Sequence, residues 1–356
     1  MNQHTELFIG GKWRPAGDSA RITVLDPATG QQLATVASAT VGDGLDAVDA
    51  AAEALPGWAA TAPRGRAELL QAVYGLMKER AEELAELIVA ENGKALPDAR
   101  AEISYAAEFF RWYAEEAVRV AGSVQTAPGG SNRIIVLRQP IGVSVLVTPW
   151  NFPAAMATRK VGPALAAGCT VVLKPAHETP LTALMLASLL AEAGAPAGVV
   201  NVLTTDHASE MVGVALDDAR VRKLSFTGST EVGRRIAAGA AGTIKRVTLE
   251  LGGKSANVVF ADADLEKAAA AAPYAVFDNA GQDCCARSRI LVEQSAYDRF
   301  AELLVDATRG VRVGDPEDDA TEMGPLISAA HRETVSSFVE GEPLFRGDVP
   351  DGKGYW

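Results

Sequence analysis

Ile141-Gly142-Val143-Ser144-Val145-Leu146-Val147-Thr148 is a nearly continuous apolar run. It reads as a strand buried on both faces, the pattern of a parallel sheet sandwiched between helices. Downstream the same rhythm returns. Strand-like runs at 170–173, 199–203, 223–226 and 246–251 are separated by helical patterns that include 181–193 and 230–241. Alternation of this kind predicts a parallel sheet with helices on both faces, joined by right-handed crossovers. Such open sheets bind ligands beyond the carboxyl ends of their strands. Asn151, Lys174, Gly228 and Glu250 all fall at or just after predicted strand ends, so one crevice can collect them.

Upstream, residues 7–40 read as short strands and turns, with a Gly10-Gly11 turn, an Asp26-Pro27 turn and a corner at Gly30. From 44 to 120 the pattern is helical: Leu69, Val73, Leu76 and Met77 recur at helical spacing, as do Leu84, Leu87 and Ile88. Pro63 and Pro97 sit where the first turn of a helix tolerates proline. The aromatic group Tyr105, Phe109, Phe110, Trp112 and Tyr113 reads as a helix packing a wide apolar face more readily than as a ligand box. Ala127-Pro128-Gly129-Gly130-Ser131-Asn132 is a turn between two extended runs.

After 255 the alternation restarts: a strand at 257–260, a helical pattern over 265–276, a polar loop, a strand at 290–292 and a helix over 297–308. The loop delivers Cys284 and Cys285, two of only three cysteines. A disulfide between neighbours strains normal bridge geometry. A structural metal site needs further ligands at regular spacing, and the four histidines are scattered, so no metal is expected. A reactive nucleophile and a pair of small buried residues remain, since a reactive thiol requires an activating environment. Glu250 lies between Leu249 and Leu251. Buried there, it would need a partner or a function, and desolvation would suit it to general-base work; facing water, it is an ordinary strand-end acid.

Phe226-Thr227-Gly228-Ser229-Thr230-Glu231-Val232-Gly233 leaves a strand and enters a helix. Its first amides can meet a pyrophosphate and Gly228 permits close approach. The Gly-x-Gly-x-x-Gly fingerprint and the Lys-Ser/Thr ending of an ATP-type loop are both absent, and a plain capped helix start explains the same residues.

At 356 residues, two domains with substantial cores are expected. A net charge of -12 argues against nucleic acid or an anionic membrane as partner. No apolar run is long enough to span a bilayer. The first six residues lack the basic and apolar regions of a secretory signal, and sparse cysteine points to a reducing compartment, so the cytoplasm is expected.

Phe277-Asp278-Asn279-Ala280-Gly281-Gln282-Asp283-Cys284 resembles the active-site signature of the aldehyde dehydrogenase superfamily. Val247 to Lys254 (VTLELGGK) and Pro149-Trp150-Asn151-Phe152-Pro153 agree with it in the right order. The resemblance runs from about Leu7 to the last residue. It implies a Rossmann-like α/β domain binding NAD or NADP (1–121 and 141–252), a projecting β-hairpin for oligomerisation (122–140), and a second α/β catalytic domain (253–356) that is incomplete here. Relatives continue past the point matching Trp356, where a later Glu-x-Phe-Gly-Pro block holds the nicotinamide ribose.

By the same resemblance Cys284 is the nucleophile, Asn151 and the Cys284 N–H form an oxyanion hole, and Glu250 activates the hydrolytic water. Thr148, Pro149, Trp150, Lys174, His177, Gly228, Ser229, Gly233, Leu251 and Gly252 then line the cofactor site. His177 stands where relatives often place a glutamate on the NAD ribose, which leaves NADP acceptable, although adjacent Glu178 could interfere. Glu250 speaks for a hydrolytic rather than a coenzyme-A-acylating enzyme. Among its relatives the chain looks closest to succinate-semialdehyde and aminoaldehyde oxidisers. Arg159 matches an arginine that grips a succinate carboxylate; Asp278 stands where a second arginine is expected, which suits a cationic aldehyde or an Arg159–Asp278 salt bridge. A small aldehyde substrate and a dimeric or tetrameric assembly follow. A truncated or catalytically silent cofactor-binding protein is the alternative.

Overall fold

Short strands open the computed structural model, which describes residues 4–352 and 354–356; Met1–Gln3 of the leader reading lie outside them. These are β1 (Leu7–Ile9), β2 (Lys12–Arg14), β3 (Arg21–Leu25) and β4 (Gln32–Ala37). Four helices follow: α1 (Val41–Ala60), α2 (Pro63–Glu79), α3 (Ala81–Asn92) and α4 (Leu96–Ala117). Local chemistry fixes their ends. Thr40 and Asp43 form a reciprocal capping box on α1, prolines sit in the first turns of α2 and α4, and Gly93 closes α3 in the left-handed region at φ 75°.

A two-stranded hairpin, β5 (Ser123–Thr126) and β6 (Arg133–Val136), comes next; it is exposed throughout. The alternating segment then runs β7 (Val143–Val147), α5 (Pro153–Ala166), β8 (Val171–Lys174), α6 (Leu181–Glu192), β9 (Val200–Val202), α7 (Ala208–Asp217), β10 (Val221–Gly228), α8 (Thr230–Ala241) and β11 (Arg246–Leu251).

The main sheet has seven strands in the order β11-β10-β7-β8-β9-β1-β2. The first five are parallel, and β1 and β2 extend the edge antiparallel through Phe8 against Val202. The chain climbs outward from β7 through β8 to β9, then returns to the other flank of β7 as β10 and β11. The order therefore reverses between β7 and β10, which is where an open α/β sheet leaves a crevice at its carboxyl edge. Every residue of β7 and β8 is buried, because α5 and α6 cover one face and α1 with α7 pack the other.

Beyond β11 lie β12 (Ala256–Val259), α9 (Leu265–Ala271), α10 (Tyr274–Phe277), β13 (Arg289–Val292), α11 (Tyr297–Arg309) and α12 (Ala329–Ser336). β12 and β13 pair in parallel as a separate sheet over a small core of Val259, Ala269, Ala272 and Phe300. The helix expected over 265–276 is interrupted: α9 stops at Ala271 and Pro273 starts a separate short turn, since proline breaks the hydrogen-bond ladder. The aromatic face of α4 is only partly core. Phe110 is fully buried, Tyr105 and Trp112 are exposed, and Phe109 and Tyr113 line a cavity. Among the described residues no helix is long and apolar enough to cross a membrane.

Candidate active site

The cysteine loop begins with a backbone excursion. Asn279 (φ 51°) and Ala280 (φ 56°) lie in the left-handed region, followed by Gly281 (φ 75°). Left-handed conformations are unfavourable for residues with a Cβ, so side-chain bonds must hold this turn. Buried Asn279 supplies them, donating from Nδ2 to the carbonyls of Asn151 (2.9 Å) and Gln282 (3.2 Å). Its backbone N–H reaches Asp98 Oδ2 at 3.3 Å. Gln282, also buried, returns Nε2 to the Asn279 carbonyl and accepts from the Ile327 N–H at 2.9 Å.

Asn151, in the connection from β7 to α5, donates from Nδ2 to the Gln282 carbonyl at 2.8 Å. The structure thus ties the carboxyl end of the central strand to the chain two residues before Cys284. An amide nitrogen carries two N–H groups, and that bond uses one of them. Among the described residues the Cys284 N–H has no hydrogen-bond acceptor, whereas the Cys285 N–H donates to Asp283 Oδ1 at 3.1 Å.

Both thiols are exposed and their sulfurs stand 3.7 Å apart. The Cys284 thiol is pushed up to about 12, by partial desolvation of the sulfur first, then by its contact with Cys285 and the Asp283 carboxylate. An acid and a second thiol face the sulfur where a cation would be needed to favour the thiolate, so the loop favours the protonated thiol.

Glu250, at the end of edge strand β11, is exposed, so the burial that would make it an expensive strand-end carboxylate is absent. It lines a cavity of about 690 Å³ between the sheet and α4–α5, together with Arg159, Lys160, Lys223, Phe109 and Tyr113. Cys284 is not among the residues lining it. Lys160, which the sequence did not single out, donates to Ser225 Oγ at 3.0 Å. Burial holds its ammonium down at about 8, with Glu250 opposing that shift.

Arg159 and Asp278 do not meet: among the described residues no ion pair joins them. The Arg159 guanidinium bonds the Tyr105 hydroxyl and lies 5.1 Å from the Phe109 ring centre. Asp278 is exposed and stands beside Asp98 instead. Burial, and then the Asp278 charge, raise the Asp98 carboxyl to about 6.

At the carboxyl ends of β7 and β8, Thr148 and Lys174 are buried, and the Thr148 N–H donates to the Lys174 carbonyl at 3.1 Å. Burial lowers the Lys174 ammonium, with Glu178 opposing that shift. Thr227 Oγ1 is buried without a partner. That orphaned hydroxyl near the carboxyl edge fits a polar cofactor, because such groups are rarely left unpaired. Pro149 and Trp150 are half-buried, with the Trp150 ring edge-on to His331 at 5.0 Å.

The helix start is partly committed elsewhere. Ser229 caps α8 by accepting from the Val232 N–H, and Gly233 is small because Leu251 packs on it, a Cβ there coming within 2.6 Å of a Leu251 methyl. A Cβ at Gly228 would come within 2.5 Å of the Phe226 ring, and Gly252 is exposed. His177 is exposed and pairs with Glu178 at 3.3 Å.

Residues 13–343 match the model of the Aldehyde dehydrogenase family. The chain is 47% identical over 322 residues to the succinate-semialdehyde dehydrogenase [NADP(+)] GabD of Escherichia coli (strain K12), covering 90% of this chain and 67% of that enzyme. It is 45% identical to a glutarate-semialdehyde dehydrogenase of Pseudomonas putida, across 94% of this chain and 70% of the other. Among solved structures, an E. coli NADP-dependent enzyme superposes with a TM-score of 0.92 at 46% identity, covering 94% of this chain and 69% of that one. PnpE in complex with nicotinamide adenine dinucleotide gives 0.90 at 39% identity, covering 94% and 68%.

Proposed function

The chain belongs to the aldehyde dehydrogenase family, as an NAD(P)-dependent enzyme oxidising aldehydes to carboxylic acids, and we propose that Cys284, Asn151 and Glu250 carry the reaction. The observation that supports this most directly is the Asn151–Gln282 hydrogen bond, which ties an amide donor to the chain two residues before Cys284, whose own N–H is unbonded and whose sulfur is exposed. Cys284 Sγ, exposed to solvent, gives its proton to water as it attacks the aldehyde carbonyl, forming a thiohemiacetal whose oxyanion accepts from Asn151 Nδ2 and the Cys284 N–H. A bound nicotinamide supplies the hydride acceptor that turns this adduct into a thioester. Glu250, reached by water and facing the Lys160 ammonium, takes a proton from the water that releases the acid.

Lys174 presents its ammonium and Thr227 its unpaired hydroxyl to the cofactor, with Thr148, Pro149, Trp150, Gly228, Ser229, Leu251 and Gly252 forming the walls. His177 and Gly233 act indirectly, one paired with Glu178 and the other seating α8 on Leu251. In this assignment 1–121 and 141–252 form the cofactor domain, 253–356 belongs to the catalytic domain, and 122–140 joins subunits through exposed Val124, Ile135 and Leu137.

The substrate we assign is a semialdehyde with a distal anion, supported by Arg159, Lys160 and Lys223 around one cavity and by the names of its relatives. Asp98 and Asp278 favour a second reading, a cationic aminoaldehyde. Reduced-cofactor absorbance with a panel of succinic, glutaric and amino aldehydes, run with both cofactors, decides between them. Preference for the cationic aldehydes would overturn the anionic assignment, and a Cys284→Ala variant that still oxidised any of them would overturn the nucleophile.

A further inference from the structure

The backbone of Asn151 is gripped from two sides. Its carbonyl accepts from Asn279 Nδ2 at 2.9 Å and from Lys94 Nζ at 3.0 Å. Lys94 comes from the turn between α3 and α4 and forms an ion pair with Glu102, both side chains being 0% exposed. The ammonium also sits 3.8 Å from the centre of the Phe152 ring. Glu102 in turn accepts from the N–H groups of Ala154 (2.9 Å) and Ala155 (3.1 Å) in the first turn of α5. Phe152, at the N-cap, has no side chain able to do so. One buried pair therefore holds residues 151, 152, 154 and 155 together.

A buried ion pair is a poor way to add stability, since desolvating both charges offsets most of their attraction and an apolar pair of similar volume often serves as well. What an apolar pair cannot supply is direction. The Lys94–Glu102 pair gives a fixed donor to the Asn151 carbonyl and fixed acceptors to the helix start, which fixes the backbone from which the Asn151 side chain reaches the Gln282 carbonyl.

We propose that Lys94, braced by Glu102, is a positioning residue for the Asn151 oxyanion donor. The proposal rests on the role assigned to Asn151 above. It adds that the donor's placement depends on a charged pair on separate elements, reaching Asn151 from 57 residues away.

Rapid-mixing measurement of the first turnover of reduced cofactor tests it in the intact chain, at saturating cofactor and aldehyde. Asn151→Ala should slow this phase by about 10²–10³-fold, as for the loss of one oxyanion donor. Lys94→Met should slow it by roughly 10–100-fold, as for a small misplacement of a catalytic group, with cofactor affinity by titration unchanged. In the Asn151→Ala background, Lys94→Met should add no further slowing, since both act on one interaction.

A folded Lys94→Met enzyme with a wild-type first turnover overturns the proposal, and so do slowings that multiply in the double variant, because either leaves the pair a merely structural role. Should Lys94→Met fail to fold, Glu102→Gln keeps the volume and the acceptor for Ala154 and Ala155. It should slow the same phase without adding to Asn151→Ala, and a wild-type rate there also overturns the proposal. If Asn151→Ala itself turns over at the wild-type rate, the oxyanion reading fails instead.

Discussion

Replacing Asp283 by Asn removes one negative charge beside Cys284 with little change in volume. The Asp283 carboxylate and the two loop sulfurs lie within 4.8 Å of one another. At that separation, in the high dielectric of an exposed loop, two unit charges repel by about 0.9 kcal/mol. At 1.36 kcal/mol per pKa unit, this is a downward shift of about 0.6 for the Cys284 thiol, or about fourfold more thiolate at a fixed pH. The anion also becomes a weaker nucleophile as its pKa falls, which halves the gain to about twofold in rate. The assay is the iodoacetamide alkylation rate of Cys284 against pH in a Cys285→Ser background, at low salt so that the charge is least screened. Partial desolvation and the Asp283 carboxylate, which both raise this thiol, remain in that background, so the parent profile should still be climbing at about pH 10. Asp283→Asn should displace the profile to lower pH. A parent rate that levels off at about pH 8 or 9 would mean the thiolate already exists at rest, and the electrostatic account of the loop would be wrong.

Glu91 is fully buried, accepts from the Leu181 and Thr182 N–H groups at the start of α6, and is raised by burial from 4.5 to about 7. Its folded pKa lies above the unfolded value, so the folded state binds the extra proton in between, and stability falls as pH rises from about 4.5 to 7. Glu91→Gln should flatten that slope in denaturant titrations, and an unchanged slope refutes the assignment. Ala280→Gly relieves a left-handed residue and should stabilise the chain by up to about 1 kcal/mol, after allowing for the extra unfolded-state entropy. A lower melting temperature for that variant counts against strain in the loop. Gly93→Ala places a Cβ within 2.8 Å of Pro325 and 3.0 Å of Pro27 in a left-handed cap. It should cost about 1–3 kcal/mol and slow the first turnover by shifting Lys94; full activity would show that the turn is not a rigid support.

Strands buried on both faces were legible in sequence. β7 and β8 fall where continuous apolar runs placed them, because burial on both sides leaves no polar alternation to confuse the pattern. The addition of β1 and β2 to the same sheet was not, since pairing Phe8 with Val202 depends on tertiary packing. The three motifs named the family correctly, as the match over residues 13–343 shows. They did not reveal the environment of their own residues. Exposure of Glu250 follows from β11 lying at the sheet edge, and the proton retained on Cys284 follows from side chains that only the folded loop brings together. Lys94 and Glu102 carried no local signal, because a lysine after a helix-ending glycine ordinarily faces water.

The central chemistry reduces to a covalent thioester on Cys284 that Glu250 helps water to break. Rapid mixing of a Glu250→Gln variant with aldehyde and NAD or NADP measures both halves together. The account predicts one equivalent of reduced cofactor per chain in a fast phase, then a steady rate lower by about 10²–10⁴-fold, with the acyl group recoverable on Cys284 by mass spectrometry. Steady turnover at the parent rate, or a fast phase that leaves no adduct on Cys284, would contradict it.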